Sequence, residues 1–291
     1  MRTALILTLA LSGAIATGLV GQRSRRPAPD RSRSDQSTSQ DDYHFTPDLR
    51  SGQRLSVSNI DGEVVVTQSR GTAAEITAHK IVHRGDGSRV KAVLEQTDGG
   101  YRVCTVYLGR NDNSDDRTSC SRGHSDNGND DNEPLEVEMR YDIRLPAGVE
   151  LAVNTVDGDV HATGLDVPVT IRTVDGNVTV DGVAPQSVNT VDGKITATIT
   201  DTRWDHDLAI RSVDGAVDLT LPATIGLAIS GETVDGEVHS DFPLTLQGHW
   251  GPRSFNATIG GGGSHQLHLN TVDGSITLHQ GGRRQGDGRN H

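Results

Sequence analysis

Thr155-Val156-Asp157-Gly158-Asp159-Val160-His161-Ala162 and, eighteen residues on, Thr173-Val174-Asp175-Gly176-Asn177-Val178-Thr179-Val180 are two copies of one pattern. The four-residue word returns at Thr190–Gly193, Ser212–Gly215, Thr233–Gly236 and Thr271–Gly274, with a looser copy at Asn59–Gly62. From Asp157 onward the aspartates are 18, 17, 22, 21 and 38 residues apart. The last gap is two periods long, and Thr258-Ile259-Gly260-Gly261 within it reads as a degraded copy. An alternating run precedes each word (Leu151-Ala152-Val153, Val169-Thr170-Ile171, Leu208-Ala209-Ile210) and another follows it (Lys194-Ile195-Thr196-Ala197, Ser275-Ile276-Thr277-Leu278). Alternation with period two is the mark of a strand with one buried face, and Asp-Gly between two such runs is a turn signal. Gly158, Gly176, Gly193, Gly215, Gly236 and Gly274 are therefore read as structural turn residues.

A unit of 17–22 residues cannot fold alone and must bury its apolar side against its neighbours. At about 3.3 Å per residue one unit makes one coil of two or three short strands, and coils stack about 4.8 Å apart. The expectation is an all-β chain: a parallel β-solenoid over residues 151–280. The competing reading is a series of antiparallel Asp-Gly hairpins, against which stands the long, variable spacing between words. Residues 49–150 are less regular. Strands are expected at Arg54–Asn59, Glu63–Gln68, Ala74–His83, Arg89–Gln96, Tyr101–Tyr107 and Leu135–Leu145, as hairpin-like elements that cover the end of the stack.

Composition agrees with a narrow interior. Aromatic residues are 3% of the 291, hydrophobic residues 33%, and glycines number 34. The net charge of -12 argues against nucleic-acid binding. Residues 1–20, with Arg2 followed by the apolar or small run Thr3–Val20, read as a signal peptide cut after Ala16 or Gly18. An uncleaved single-span anchor is the alternative, and would be the chain's one membrane contact. Residues 21–48 read as a disordered linker: Gln22–Arg33 carries five arginines against one aspartate. Its arginines either touch anionic lipid or cell-wall polymer, or form a solvated spacer. Residues 281–291 read as a disordered tail.

Cys104 and Cys120 are the only cysteines. An even count in an exported chain suggests a structural disulfide. A redox role would need a CxxC, which is missing. The acidic loop 109–134 contains Asp126-Asn127-Gly128-Asn129-Asp130-Asp131, which fails the spacing of a calcium-binding EF-hand loop.

These residues resemble a bacterial family of secreted β-strand-repeat proteins, labelled putative adhesins and otherwise a domain of unknown function. The resemblance rests on the Thr-Val-Asp-Gly words, on Thr258–Gly263 leading to Leu269–Ile276, on Cys104–Tyr107 with Cys120, and on Arg144–Val149. It covers about residues 50–279 and implies an exported, non-enzymatic β-repeat domain with no active site to transfer. It also implies a possible part in envelope-stress signalling. This chain departs in carrying Asp at every turn where relatives often have Asn.

Stacked in register, Asp157, Asp175, Asp192, Asp214 and Asp235 would form a column. Each is expected to face solvent and accept a backbone N–H in an Asx-type turn; the alternative is a ladder of oxygen ligands for Ca²⁺. The neighbouring threonines would stack likewise, as plain β-branched packing or as a hydroxyl column for ice or sugar. Arg84-Gly85-Asp86 is a short integrin-type tripeptide that a turn explains equally well. No cofactor is expected, and no G-x-S-x-G, H-E-x-x-H or P-loop occurs. The reading is an exported structural or adhesin-like module contacting an envelope protein, a glycan or itself. Its alternatives are an envelope-stress regulator acting through a membrane partner and, less favoured, a glycan-active enzyme.

Overall fold

The computed structural model describes residues 40–108, 119–120, 134–182, 185–200, 206–247, 252–263 and 265–281. The signal segment, the arginine-rich stretch, most of the acidic loop with Asp126–Asp131, and the tail lie outside the described residues.

Seven strands form the N-terminal part: β1 (Gln40–Phe45), β2 (Arg54–Ser58), β3 (Val64–Gln68), β4 (Glu75–Arg84), β5 (Val90–Thr97), β6 (Gly100–Tyr107) and β7 (Glu136–Leu145). β2 to β7 start and end within a residue or two of the sequence expectation. β1 does not: it lies inside the stretch expected as linker, and pairs antiparallel with β4 from Gln40 to Phe45. Its alternation, with Tyr43 and Phe45 packed on the core, is too short and too polar outside those two rings to stand out in sequence.

The repeats supply β8 (Glu150–Asn154), β9 (Val160–Thr163), β10 (Val169–Arg172), β11 (Val178–Gly182), β12 (Ser187–Asn189), β13 (Ile195–Ile199), β14 (Leu208–Arg211), β15 (Val217–Pro222), β16 (Leu227–Asp235) and β17 (Val238–Ser240). Then come β18 (Thr245–Gln247), β19 (Arg253–Ile259), β20 (Gln266–Asp273) and β21 (Ile276–Gly281). From β8 to β17 successive strands alternate between two sheets. One has ten strands in the order β1-β4-β7-β3-β9-β11-β13-β15-β21-β17; the other has eleven, β18-β19-β16-β20-β14-β12-β10-β8-β2-β6-β5.

Each repeat thus contributes one strand to each sheet, with the Val-Asp-Gly word crossing between them. Pairing through the repeats is parallel and in phase: Leu151 lies beside Val169, Val160 beside Val178, Ile195 beside Val217. The inward residues are those the alternation selects. Val153, Val169, Ile171, Val178, Ile195, Leu208, Ile210, Val217 and Leu219 are all fully buried, each worth roughly 1.5–3 kcal/mol of apolar transfer. The β-branched valines and isoleucines among them suit a pleated surface.

The strict solenoid expectation needs correction at both ends, because the rungs do not stack in chain order. β20 lies between β14 and β16, and β21 between β15 and β17. The last repeat therefore slides between two earlier ones. Thr258-Ile259-Gly260-Gly261 is not a rung either: it closes β19, which runs antiparallel to β16, and Gly260, Gly261 and Gly262 turn the chain with φ of 58°, 84° and 82°. At the other end β4 pairs antiparallel with β1 and β7, and β5 with β6. The whole is two mixed sheets, parallel in the repeats and antiparallel at the ends.

The described aromatics sit in those ends. Tyr43, Phe45, Tyr101, Tyr107 and Tyr141 pack at one, Phe242 and Phe255 at the other. The aliphatic rungs between are too narrow for rings, whereas an end layer must cover a wide exposed face. Gly231 makes room for Phe255: a Cβ there would sit inside the phenyl ring.

Candidate functional site

The repeated word builds a corner whose four residues have distinct tasks. Counting inward from Val153, the threonine points in, and Thr155, Thr173, Thr190, Ser212, Thr233 and Thr271 are all buried. Their hydroxyls are turned to backbone carbonyls of the turn. Thr233 Oγ1 donates to the Gly274 carbonyl at 3.0 Å, Thr271 to Gly215 at 3.2 Å, Ser212 to Gly193 at 3.3 Å, and Thr190 to Gly176 at 3.4 Å. Among the described residues Thr155 Oγ1 has no partner. These hydroxyls are inside, so the hydroxyl column imagined for ice or sugar does not reach the surface.

At the looser copy, Asn59 takes the threonine's place. Its Nδ2 donates to the carbonyls of Asp61, Gly62 and Met139 (3.1, 2.9 and 2.8 Å), and its Oδ1 accepts from Thr105 Oγ1 at 2.7 Å. Thr105 also meets the Tyr141 hydroxyl at 2.9 Å. Burial pushes the Tyr141 phenol well up and that of Tyr107 up to about 12, so both stay neutral hydrogen-bonding groups.

The glycines are fixed by two constraints. Gly158, Gly176, Gly193, Gly215 and Gly274 have φ between 146° and 157°, a region that L side chains rarely adopt. In addition, a Cβ on Gly176 would land on the Gly158 carbonyl, one on Gly193 on that of Gly176, and one on Gly274 on that of Gly215. Gly236 lacks the unusual φ but meets the Gly274 carbonyl in the same way.

The aspartates do align. Bridges run Asp61–Asp157–Asp175–Asp192–Asp214–Asp273, and Asp273 pairs with Asp235. The column thus holds seven residues, with Asp273 inserted between Asp214 and Asp235. Each aspartate's backbone joins the ladder: Asp175 N–H donates to the Val156 carbonyl at 2.7 Å, and Gly158 N–H to the Asp175 carbonyl at 2.9 Å. The side chains differ from the Asx-turn expectation. Among the described residues no hydrogen bond reaches the carboxylates of Asp157, Asp175, Asp192, Asp214, Asp235 or Asp273; where the N–H two residues on is engaged, a side chain of the neighbouring rung accepts it, Asn177 N–H donating to Asp159 Oδ1 at 2.7 Å and Lys194 N–H to Asn177 Oδ1 at 3.0 Å. They stand in solvent. Asp61 is the exception: burial, then the charges of Asp157 and Glu138, raise its pKa. Among the described residues no group of three or more acidic, histidine or cysteine side chains is arranged around a common point.

The valine of the word faces out. Val156, Val174, Val191, Val213, Val234 and Val272 are 36–47% exposed, and they form a row parallel to the aspartates. On the other side of that row runs a third column, in which Asn154, Arg172, Asn189, Arg211, Asn270 and Glu232 are paired in sequence. The valine row was not singled out from sequence. Its signal was available: parity from Leu151 through Val153 and Thr155 leaves Val156 outside.

Other polar groups on the ten-stranded sheet pair with one another. His79 lies between Asp42 (2.8 Å) and Asp142 (3.3 Å), beside a surface depression of about 230 Å³ lined by Glu63, Val65, Arg140 and Tyr141. Asp218 holds Lys194 at 2.8 Å and His279 at 2.9 Å; Lys194 above all, against some burial, keeps that carboxyl below the usual range. Glu138 is also lowered: burial works against it, but Arg140 and His83 outweigh burial. In the tripeptide, Arg84 pairs with Glu136 at 2.9 Å, and Asp86 accepts from the backbone N–H and hydroxyl of Ser88. Both charged groups are thus engaged within the protein, beside a short 3₁₀ turn (Gly87–Arg89).

Cys104 and Cys120 form a disulfide with Cα atoms 5.7 Å apart. Cys120 N–H also donates to Glu95 Oε1 at 2.7 Å, so residue 120 is tied to β5, the outermost strand of its sheet.

Three solved structures are similar in outline. One, from Clostridium sporogenes, is described as a putative cell adhesion protein: 14% identity, TM-score 0.45, covering 84% of this chain and 100% of its own. Another, from Bacteroides fragilis, is described as a putative adhesin, with 11% identity, TM-score 0.31 and coverage of 83% and 98%. The third, from Parabacteroides distasonis, is described as a putative lipid binding protein, with 8% identity, TM-score 0.22 and coverage of 82% and 95%. No curated protein matches significantly. The family comparison is more direct, because the sequence profile of one family spans residues 36–279, nearly the whole described chain. On that match the chain belongs to the Toastrack DUF4097 family, a domain of unknown function.

Proposed function

We propose that this chain is an exported, non-enzymatic interaction module of the bacterial cell envelope, adhesin-like in role and solenoid-like in build. The observation that carries the reading is the corner. Six near-identical words and a looser seventh place an exposed valine row and an acidic row side by side on the surface. The disulfide supports export, since such bonds persist in oxidising compartments. Several polar groups elsewhere serve the fold: ion pairs such as Lys80–Asp41 at 2.8 Å and Arg54–Glu150 at 2.7 Å tie neighbouring strands together.

Cell fractionation with mass spectrometry of the native, non-reduced protein tests this. The expected product is an extracytoplasmic chain with Cys104 and Cys120 joined, accessible to protease added outside the cytoplasmic membrane. A cytoplasmic pool with both thiols free would refute the reading. New reducing or unsaturated ends after incubation with polysaccharides would replace it with an enzyme.

A further inference from the structure

We propose that the valine row is a docking edge for a cationic, proline-containing segment in the polyproline II conformation. The inference rests on the interaction-module reading and names the partner's chemistry.

Three observations carry it. The first is apolar continuity. Val156, Val174, Val191, Val213, Val272 and Val234 follow one another rung by rung, with the pairs bridged through the adjacent aspartates. The six exposed valines span about 24 Å at about 4.8 Å per rung, and Ile60 continues the line half-buried. Rows of exposed apolar side chains of this extent mark interaction sites.

The second is charge. The seven aspartates run along one side of the row, and among the described residues the six from Asp157 onward make no ion pair or side-chain hydrogen bond. On the other side stand Arg172 and Arg211, also without a partner among the described residues, between asparagines and ahead of Glu232. The edge is therefore polarised across its width. An occupant presents its cations to the aspartate side and neutral or acidic groups to the arginine side. A second copy of this chain would bring seven more aspartates to the same edge, which disfavours it.

The third is period. The corner's backbone groups are already bonded to the neighbouring rungs, so a partner cannot add a strand and must dock through side chains. A polyproline II helix repeats each face every three residues, about 9.3 Å, against about 9.6 Å for two rungs. The mismatch stays below about 1 Å over the row. An α-helix, at about 5.4 Å per turn, drifts by about 0.6 Å per rung. An extended strand repeats a face every about 6.7 Å and matches no small number of rungs. The occupant thus has a three-residue period: an apolar residue on the valines, Arg or Lys on the aspartates, a neutral or acidic residue on the third side.

The test uses the full chain and a labelled peptide of five Val-Arg-Pro units, followed by fluorescence anisotropy. Saturable binding is expected, at least about fivefold weaker in 300 mM than in 20 mM salt. The Asp157→Asn, Asp175→Asn, Asp192→Asn triple variant is expected to bind about tenfold more weakly. Val174→Ser with Val191→Ser is expected to weaken binding while keeping the salt dependence. Thermal melting checks that both variants are folded; the carboxylates and valine side chains carry none of the ladder bonds. Three outcomes overturn the proposal: no binding, equal binding by the triple variant, or equal binding of a helical peptide with the same charge. Concentration-dependent self-association abolished by the valine substitutions would instead assign the edge to a second copy. None of these outcomes bears on the fractionation result, so failure here is distinct from failure of the export reading.

Discussion

The corner threonines allow one substitution to be made twice with opposite outcomes. Thr233 is fully buried, and its hydroxyl donates to the Gly274 carbonyl at 3.0 Å. Thr155 occupies the equivalent place four words earlier, also buried, with no partner for its hydroxyl among the described residues. Valine has nearly the same shape, and both sites share the same local sequence, so strand propensity cancels. Thr233→Val removes a hydrogen bond worth about 1 kcal/mol net, more if the carbonyl is left without a donor. Thr155→Val removes a buried hydroxyl that carries a desolvation cost of about 1–3 kcal/mol with nothing to offset it. The two variants should therefore differ by about 2–4 kcal/mol, the first below wild type and the second at or above it. For a chain of this size that separates their melting temperatures by about 4–16 °C. Thr271→Val and Thr190→Val should fall between, in the order of their donor distances of 3.2 and 3.4 Å. Calorimetry on the four variants is the assay. Equal shifts, or a Thr155→Val variant as unstable as Thr233→Val, would refute the assignment of hydroxyl roles.

Gly176→Ala should cost about 3 kcal/mol or more, because φ of 151° and the Gly158 carbonyl both exclude a Cβ. Gly164→Ala, at φ 68° with open space around it, should cost about 1 kcal/mol; urea unfolding compares them. Reducing Cys104–Cys120, which closes a 16-residue separation, should lower stability by about 3 kcal/mol, read by melting with and without reductant. Asp61→Asn should raise the melting temperature at pH 7 by about 1–3 °C. Burial and the Asp157 and Glu138 charges raise the Asp61 pKa, so the ionised form costs stability above that pKa. The cost vanishes as pH falls through it, and the variant's advantage should shrink in acid. Adding a strong chelator should move the melting temperature by less than about 1 °C, since among the described residues no three such side chains converge on a common point.

Much of the fold was legible because the repeat is a local code. Leu151, Val153, Val169 and Ile171 announce a buried face by alternation, and Asp-Gly announces the crossing between strands. That the words share an edge follows from their inability to bury a face alone. The disulfide was legible from two cysteines and an export-like leader. Less legible were β1, whose pairing depends on β4 offering an edge, and the outward valines, because valine also fills the interior of the same rungs. The Asx turns failed because a side chain of the neighbouring rung takes the N–H instead, as Asp159 does from Asn177 and Asn177 from Lys194.

The sequence by itself determined strand parity, the inward aliphatic stripe, the glycine corners and the approximate rung spacing, since each depends on residues within one repeat. The order of the rungs was decided only in three dimensions. Near-identical words offer near-identical backbone partners, so nothing local tells Thr271–Gly274 to lie between Ser212–Gly215 and Thr233–Gly236. That choice comes from the end layer, where Phe255 fits over Gly231 and β19 covers β16. A stack of interchangeable rungs takes its order from the few residues that fit only at its ends.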